Sequence, residues 1–327
     1  MIKSLIITLI SFVVAAVCGI FLIPLLHRLK FGQEIREEGP KWHQTKSGTP
    51  TMGGIIFIVA MIVSIVCGVF AFGISKDKAA LKSVAVLVVT ALGFGMIGFL
   101  DDYIKVILKR NLGLRAAQKF SLQFLVALVV AVWIVSEGVV DTKIAIPFTG
   151  FGIKLHYMIY IPLIILVMLA AVNSVNLTDG LDGLAACITL VIGIFYCIIS
   201  NITENLPLVI FSSALIGGLI GFLIYNKFPA KVFMGDTGSL FLGGAVAIMA
   251  IYLKNPLLLL IVGLVYVIEA LSVILQVAWF KKTGKRIFKM SPIHHHFEMC
   301  GWSEVKIVAV FSAVTLLFCL IGFVTLI

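Results

Sequence analysis

Charge is what this chain has least of. Only 12% of its 327 residues are Asp, Glu, Lys or Arg, about half the fraction of a soluble domain. Together with 61% hydrophobic residues and a mean hydropathy of +1.18, that scarcity excludes a water-soluble globule, because no single core hides so much apolar surface. Cysteine pairs at metal or redox spacing are also missing. Cys18, Cys67, Cys187, Cys197, Cys300 and Cys319 are scattered, mostly within apolar runs, and read as small apolar residues rather than disulfides or metal ligands. With no long linker, low-complexity tract or repeat, one domain over 1–327 is the simplest organisation.

What the chain does have is apolar sequence in long stretches, at 3–27, 52–73, 82–100, 121–136, 157–173, 184–200, 207–226, 239–253, 256–280 and 305–326. Each has roughly the 17–25 residues that a helix needs to cross a bilayer. A spanning helix closes its backbone hydrogen bonds within itself, and β-barrel strands would be shorter and alternating. The expected fold is therefore all-α, a polytopic membrane protein with about ten transmembrane helices. The first run resembles a signal peptide at Lys3 but continues through Pro24 to Arg28 without a small-residue cleavage site, so it is read as span one.

Lys and Arg set the expected orientation. The loops at 28–51, 101–120, 174–183, 227–238 and 281–304 hold 17 of them, against 7 in the other loops and termini. The positive-inside rule places the richer set in the cytoplasm and both termini outside the cytoplasm. The net charge of +10 then reflects topology and attraction to anionic membrane lipid, with no call for nucleic acid.

The acids and other polar motifs gather in the same loops. Asp101 and Asp102 are expected at the end of span three, where acids oppose the helix dipole and so argue for function. Adjacent helical residues point about 100° apart, so the pair is not expected to hold one ion as a simple face. Asn176, Asp179 and Asp182 recur every third residue in NSVNLTDGLDG; they line one side of a turn, or Asp179 caps span six. Asp236 lies between Gly235 and Gly238 at the start of span eight. This position suits Mg²⁺ or phosphate, or simply a cap by Asp236 or Ser239. Phe233 nearby either stacks on a base or anchors at the interface. His294, His295 and His296 are consecutive, which is poor geometry for sharing one tetrahedral zinc and better suited to phosphate contact or proton handling. The stretch from Lys46 to Gly54 lacks the Walker pattern and reads as a turn or a phosphate contact. Glu269 is the one acid deep in a span, a functional candidate or a partner for a neighbouring helix. Acids, lysines and histidines on one face suit Mg²⁺-assisted chemistry on phosphates.

DDY at 101–103, NLTDGLDG at 176–183, FMGDTGS at 233–239 and PIHHHFE at 292–298 resemble the bacterial phospho-N-acetylmuramoyl-pentapeptide transferase family. GTPTMGG at 48–54 and YNKFPA at 225–230 match as well, and the likeness runs in order over nearly the whole chain. The acidic motifs mark the wider polyprenyl-phosphate sugar-phosphate transferase superfamily, and the triple histidine followed by Phe-Glu points to this member. The resemblance implies transfer from UDP-MurNAc-pentapeptide to undecaprenyl phosphate, giving lipid I and UMP, in the bacterial cytoplasmic membrane with Mg²⁺ as cofactor. It also implies a homodimer and a broken ninth helix. Asp236 is implied as the Mg²⁺ ligand, Asp101 as the group that deprotonates or orients the lipid phosphate, and Asp102 as its support. Asn176, Asp179, Asp182, Asn226 and Phe233 are implied at the nucleotide, and Lys46, Lys109 and Lys119 near phosphates. His294 joins the catalytic group, with His295 and His296 at the substrate in the loop that closes the site. Two rivals stand beside this reading: a sibling transferase using UDP-GlcNAc, and an ion-coupled transporter.

Overall fold

The computed structural model describes residues 1–28, 48–108 and 113–325. Ten helices among these residues are long and apolar enough to cross a membrane: α1 (Ile2–Arg28), α2 (Gly54–Ala71), α3 (Lys78–Val106), α4 (Ala116–Ser136), α5 (Tyr157–Thr178), α6 (Leu184–Ile202), α7 (Leu206–Asn226), α8 (Gly235–Tyr252), α10 (Leu264–Thr283) and α12 (Glu304–Val324). Two short helices complete the set, α9 (Leu259–Val262) and α11 (Ile293–Met299). The ninth apolar run therefore resolves into a 3₁₀ turn, α9 and α10, interrupted at Gly263.

Burial patterns follow each helix's place. α8 is the central element, with every residue from Thr237 to Ile251 buried, and it packs on α3 and α5. Peripheral helices bury one stripe and leave the rest apolar and exposed, as lipid-facing helices do. On α1 that stripe is Ile7, Ser11, Ala15 and Gly19, spaced every fourth residue so that one face meets a neighbour. The neighbour is α7: Ser11 Oγ donates to the Ala214 carbonyl at 2.6 Å and Tyr225 Oη to that of Ala16 at 2.5 Å. α12 repeats the pattern with Ile307, Phe311, Thr315 and Cys319. Side-chain caps start several helices. Asp77 accepts from the Ala79 and Ala80 amides at α3, and Asn205 from the Leu208 amide at α7.

The two ends of the bundle differ. At one, the Met1 ammonium donates to Asn201 Oδ1 at 3.0 Å, and a small antiparallel hairpin, β1 (Lys143–Ala145) with β2 (Gly152–Lys154), docks through the Ala145 amide on the Lys254 carbonyl. The other end brings together the C-terminal turns of α3 and α5 with the N-terminal turns of α4 and α8. The closest helix pair there is α3 and α8, which touch at Gly98: a side chain at this position would overlap the Asp236 carbonyl. Close approach of two backbones in an apolar medium requires such a small residue.

Candidate active site

Four segments meet at that end. Asp101 and Asp102 belong to α3, Lys119 to α4, Asn176 to α5 and Asp236 to the first turn of α8. Hydropathy alone ends span three before the acids, but α3 runs on to Val106. The reason is Lys105, one turn beyond Asp101, whose Nζ lies 2.6 Å from Asp101 Oδ2 and offsets its charge inside the helix. Lys105 also reaches Asp236 Oδ2 at 2.7 Å. Lys119 Nζ approaches the same oxygen at 2.8 Å and Asp101 Oδ2 at 3.7 Å. Asn176 Nδ2 donates to Asp236 Oδ1 at 2.7 Å and to Ser239 Oγ at 2.8 Å.

The adjacent acids do point different ways, yet both reach this one cluster. Asp101 Oδ1 accepts from the Leu114 amide at 2.7 Å, which fastens the segment leading into α4. Asp102 turns to α8, accepting from the Asp236 amide at 3.2 Å, the Thr237 amide at 2.8 Å and Thr237 Oγ1 at 2.7 Å. A carboxylate on the free amides of a helix N-terminus stabilises that end. Asp102 therefore serves as the cap of α8 from outside; neither Asp236 nor Ser239 caps it. Oxygens of Asp101, Asp102 and Asp236 all lie within 4.8 Å of one another. The adjacent pair alone offers no simple face to an ion; with the Asp236 carboxylate it forms a group of oxygens that could hold one.

The loop between α5 and α6 also differs from expectation. Asp179 ends α5 as its C-cap, and Gly183 begins α6, so Asn176, Asp179 and Asp182 share no single helical face. Asp182 Oδ2 accepts from the Ala230 amide at 2.9 Å. Asn226 is buried with both amide ends engaged: Oδ1 accepts from the Gly183 amide at 3.1 Å, and Nδ2 donates to the Val232 carbonyl at 2.9 Å. Asn226 thus ties the 176–183 loop to the 227–234 loop. Phe233 is half-buried, and its backbone pairs with Pro50 and Gly53. This pairing sets the turn after the 48–54 stretch against the entry to α8. Lys46 and Lys109 lie outside the described residues.

The three histidines take three separate partners from α11. His294 Nδ1 lies 3.1 Å from Glu269 Oε2, His295 Nδ1 2.6 Å from Glu298 Oε2, and His296 Nδ1 accepts from the Lys289 amide at 3.1 Å. His294 is wholly buried against Gly180. Its ring, expected in the catalytic group, meets Glu269 on one side and the 176–183 loop at Gly180 on the other.

A family model described as glycosyl transferase family 4 matches residues 84–254, which include every member of the cluster. A phospho-N-acetylmuramoyl-pentapeptide-transferase signature matches residues 46–58. A phospho-N-acetylmuramoyl-pentapeptide-transferase of Clostridium botulinum (strain Eklund 17B / Type B) is 51% identical over 318 residues, covering 97% of this chain and 95% of that one. Relatives of the same name from Clostridium perfringens (strain 13 / Type A) and Clostridium kluyveri are 51% and 48% identical, covering 97% of this chain and 96% and 98% of theirs. The chain belongs to the phospho-N-acetylmuramoyl-pentapeptide transferase family. It is a multi-pass bacterial membrane protein, and an ion-coupled transporter is no longer a competing reading.

The donor set of this family member fits a hard divalent cation. Carboxylate oxygens are what Mg²⁺ prefers, and three of them converge. Asp102 already accepts three hydrogen bonds. Asp236 keeps 16% of its side chain exposed against 3% for Asp101, so Asp236 is the carboxylate more open to an arriving ion. Both lysines rest on these oxygens, so a metal ion held there would displace some of that contact.

Asp179 carries a second sign of the same crowding. Burial, then the nearby Asp236, Asp102 and Asp182, raise its carboxyl well above the ordinary carboxylate range. An acid raised on folding favours the fold while protonated and loses that contribution as pH climbs from the ordinary range through its raised value. Asp179→Asn is therefore expected to melt higher than wild type at pH 8 in metal-free buffer, with the gap closing toward pH 4, while transferase activity falls. Melting curves across pH check this; a variant that melts lower at pH 8 contradicts it.

Proposed function

We propose that the protein transfers phospho-MurNAc-pentapeptide from UDP-MurNAc-pentapeptide to undecaprenyl phosphate, forming lipid I and UMP in peptidoglycan synthesis. The observation that carries the reading is the convergence of Asp101, Asp102, Asp236, Lys105, Lys119 and Asn176 from four helices in a member of this family. The loops rich in Lys and Arg include these groups, and on that basis the site faces the cytoplasm, where the nucleotide donor is made, with both termini on the other side. The family resemblance adds a homodimer.

In this reading an oxygen of the lipid phosphate bonds to the β-phosphorus of the donor, the phosphoanhydride bond to the α-phosphate breaks, and UMP leaves with that electron pair. Lys105 and Lys119 bind and orient the phosphates, since their ammonium groups already bridge carboxylates from separate helices. Asp236, with Asp101 beside it, would hold a Mg²⁺ ion, which would supply neutralisation of the pyrophosphate charge. Asp101 keeps Lys105 in place and serves as the acceptor for any proton the lipid phosphate still carries. A phosphate monoester is largely dianionic above a second pKa of about 6, so direct attack needs little help from a base. Asn176 holds Asp236 in position, and Asp179, Asp182, Asn226 and Phe233 shape the nucleotide side.

Release of labelled UMP tests this. It should require undecaprenyl phosphate, stop on chelation of divalent ions, and proceed with UDP-MurNAc-pentapeptide but not with UDP-GlcNAc. Preference for UDP-GlcNAc would favour the sibling transferase.

A further inference from the structure

Away from the acidic cluster, the fold buries one ionisable pair that the transfer itself leaves unexplained. Glu269 of α10 and His294 of α11 are both 0% exposed and meet at 3.1 Å. Glu269 Oε1 and His294 Nε2 have no hydrogen-bond partner among the described residues. Leaving such atoms unmatched is unfavourable, and an apolar pair of the same shape would avoid it. Nε2 is aimed at Gly180: a methyl group there would overlap the imidazole. Gly180 follows Asp179 and precedes Asp182, which is itself fastened to the Ala230 amide. The imidazole therefore bears on the loop between the Asp179 cap and the Asp182 tether.

We propose that Glu269 is a positioning residue for the transfer: it fixes the plane and tautomer of His294, whose ring supports Gly180 and thereby sets the height of Asp179 over the nucleotide side of the site. A carboxylate accepting from Nδ1–H leaves a lone pair on Nε2. That lone pair faces the backbone of the 176–183 loop at Gly180. Glycine at 180 admits the ring, and no other residue does so without displacing it. The proposal rests on the transferase reading for its kinetic consequence, but its structural consequence is independent of turnover.

The test uses the full chain in nanodiscs, comparing Glu269→Ala, Glu269→Gln, His294→Ala, Gly180→Ala and the Glu269→Ala/His294→Ala double variant. Hydrogen exchange is read at 176–183, and KM is read separately for donor and lipid. Glu269→Ala is expected to speed exchange at 176–183 by about tenfold and to raise the donor KM by a similar factor, with the lipid KM little changed. The double variant should be no worse than either single one. Gln, which can still accept from Nδ1–H, should restore most of the protection, and Gly180→Ala should reproduce the defect. Additive losses, faster exchange confined to 293–299, or a Gln variant as impaired as Ala would overturn the proposal. If Glu269→Ala does not fold, Glu269→Gln and Gly180→Ala decide. If wild type transfers nothing, the exchange data still decide this inference while the transferase reading fails alone.

Discussion

Asp236→Asn should lower the turnover of UMP release by about a hundred- to a thousand-fold, the usual cost of removing one pre-aimed electrostatic group. The substitution keeps the shape of the side chain and removes its charge. Asn176 still has an oxygen to donate to, and the three hydrogen bonds from α8 to Asp102 are untouched. The fold should therefore survive, with a melting temperature close to that of wild type, and the loss should appear in turnover and in the concentration of Mg²⁺ required. Activity within about threefold of wild type would remove Asp236 from the role of metal ligand.

Removing a lysine should separate metal binding from catalysis. Lys105 Nζ sits on Asp101 Oδ2 and Asp236 Oδ2, the oxygens that a divalent cation would claim. Lys105→Ala leaves the two carboxylates with Lys119 alone, and their mutual repulsion then favours an added cation. Mn²⁺ affinity should rise roughly tenfold, equivalent to about 1.4 kcal/mol, while turnover falls about a hundredfold because a phosphate loses its cation. Opposite movements of affinity and rate are the signature. Titration of Mn²⁺ against wild type and variant reads the first, and UMP release reads the second. Weaker Mn²⁺ binding in the variant would mean that Lys105 supports the ion rather than competing with it, and that the metal lies elsewhere.

Hydropathy made the ten spans legible because lipid-facing helices must be apolar along their whole length. It failed where polar residues are neutralised inside a helix. Span three was expected to stop before Asp101, but the i,i+4 partner Lys105 lets α3 continue to Val106. That spacing is readable, but a lysine in a basic loop also fits the topological charge bias, so the sequence alone does not single out Lys105 as a site residue. Ser239 is legible in FMGDTGS only as a cap and Thr237 not at all; their bonds to Asn176 and Asp102 span 63 and 135 positions, and no local pattern encodes such pairings. The cap expected at Asp179 went instead to Gly183, whose φ of 77° starts α6 without a side-chain cap. The pairing of Glu269 with His294 was hidden for a similar reason. Each is conspicuous alone, a lone acid in a span and a histidine in a basic loop, but only the fold of α10 back onto α11 joins them.

The most direct measurement is the anomalous scattering of Mn²⁺ in crystals of the protein with UDP-MurNAc-pentapeptide. One peak is expected at coordination distance from the Asp236 carboxylate, with the donor's pyrophosphate on the same ion and on Lys105 or Lys119. A peak at the histidines of α11, or a pyrophosphate bound away from Asp101 and Asp236, would contradict it.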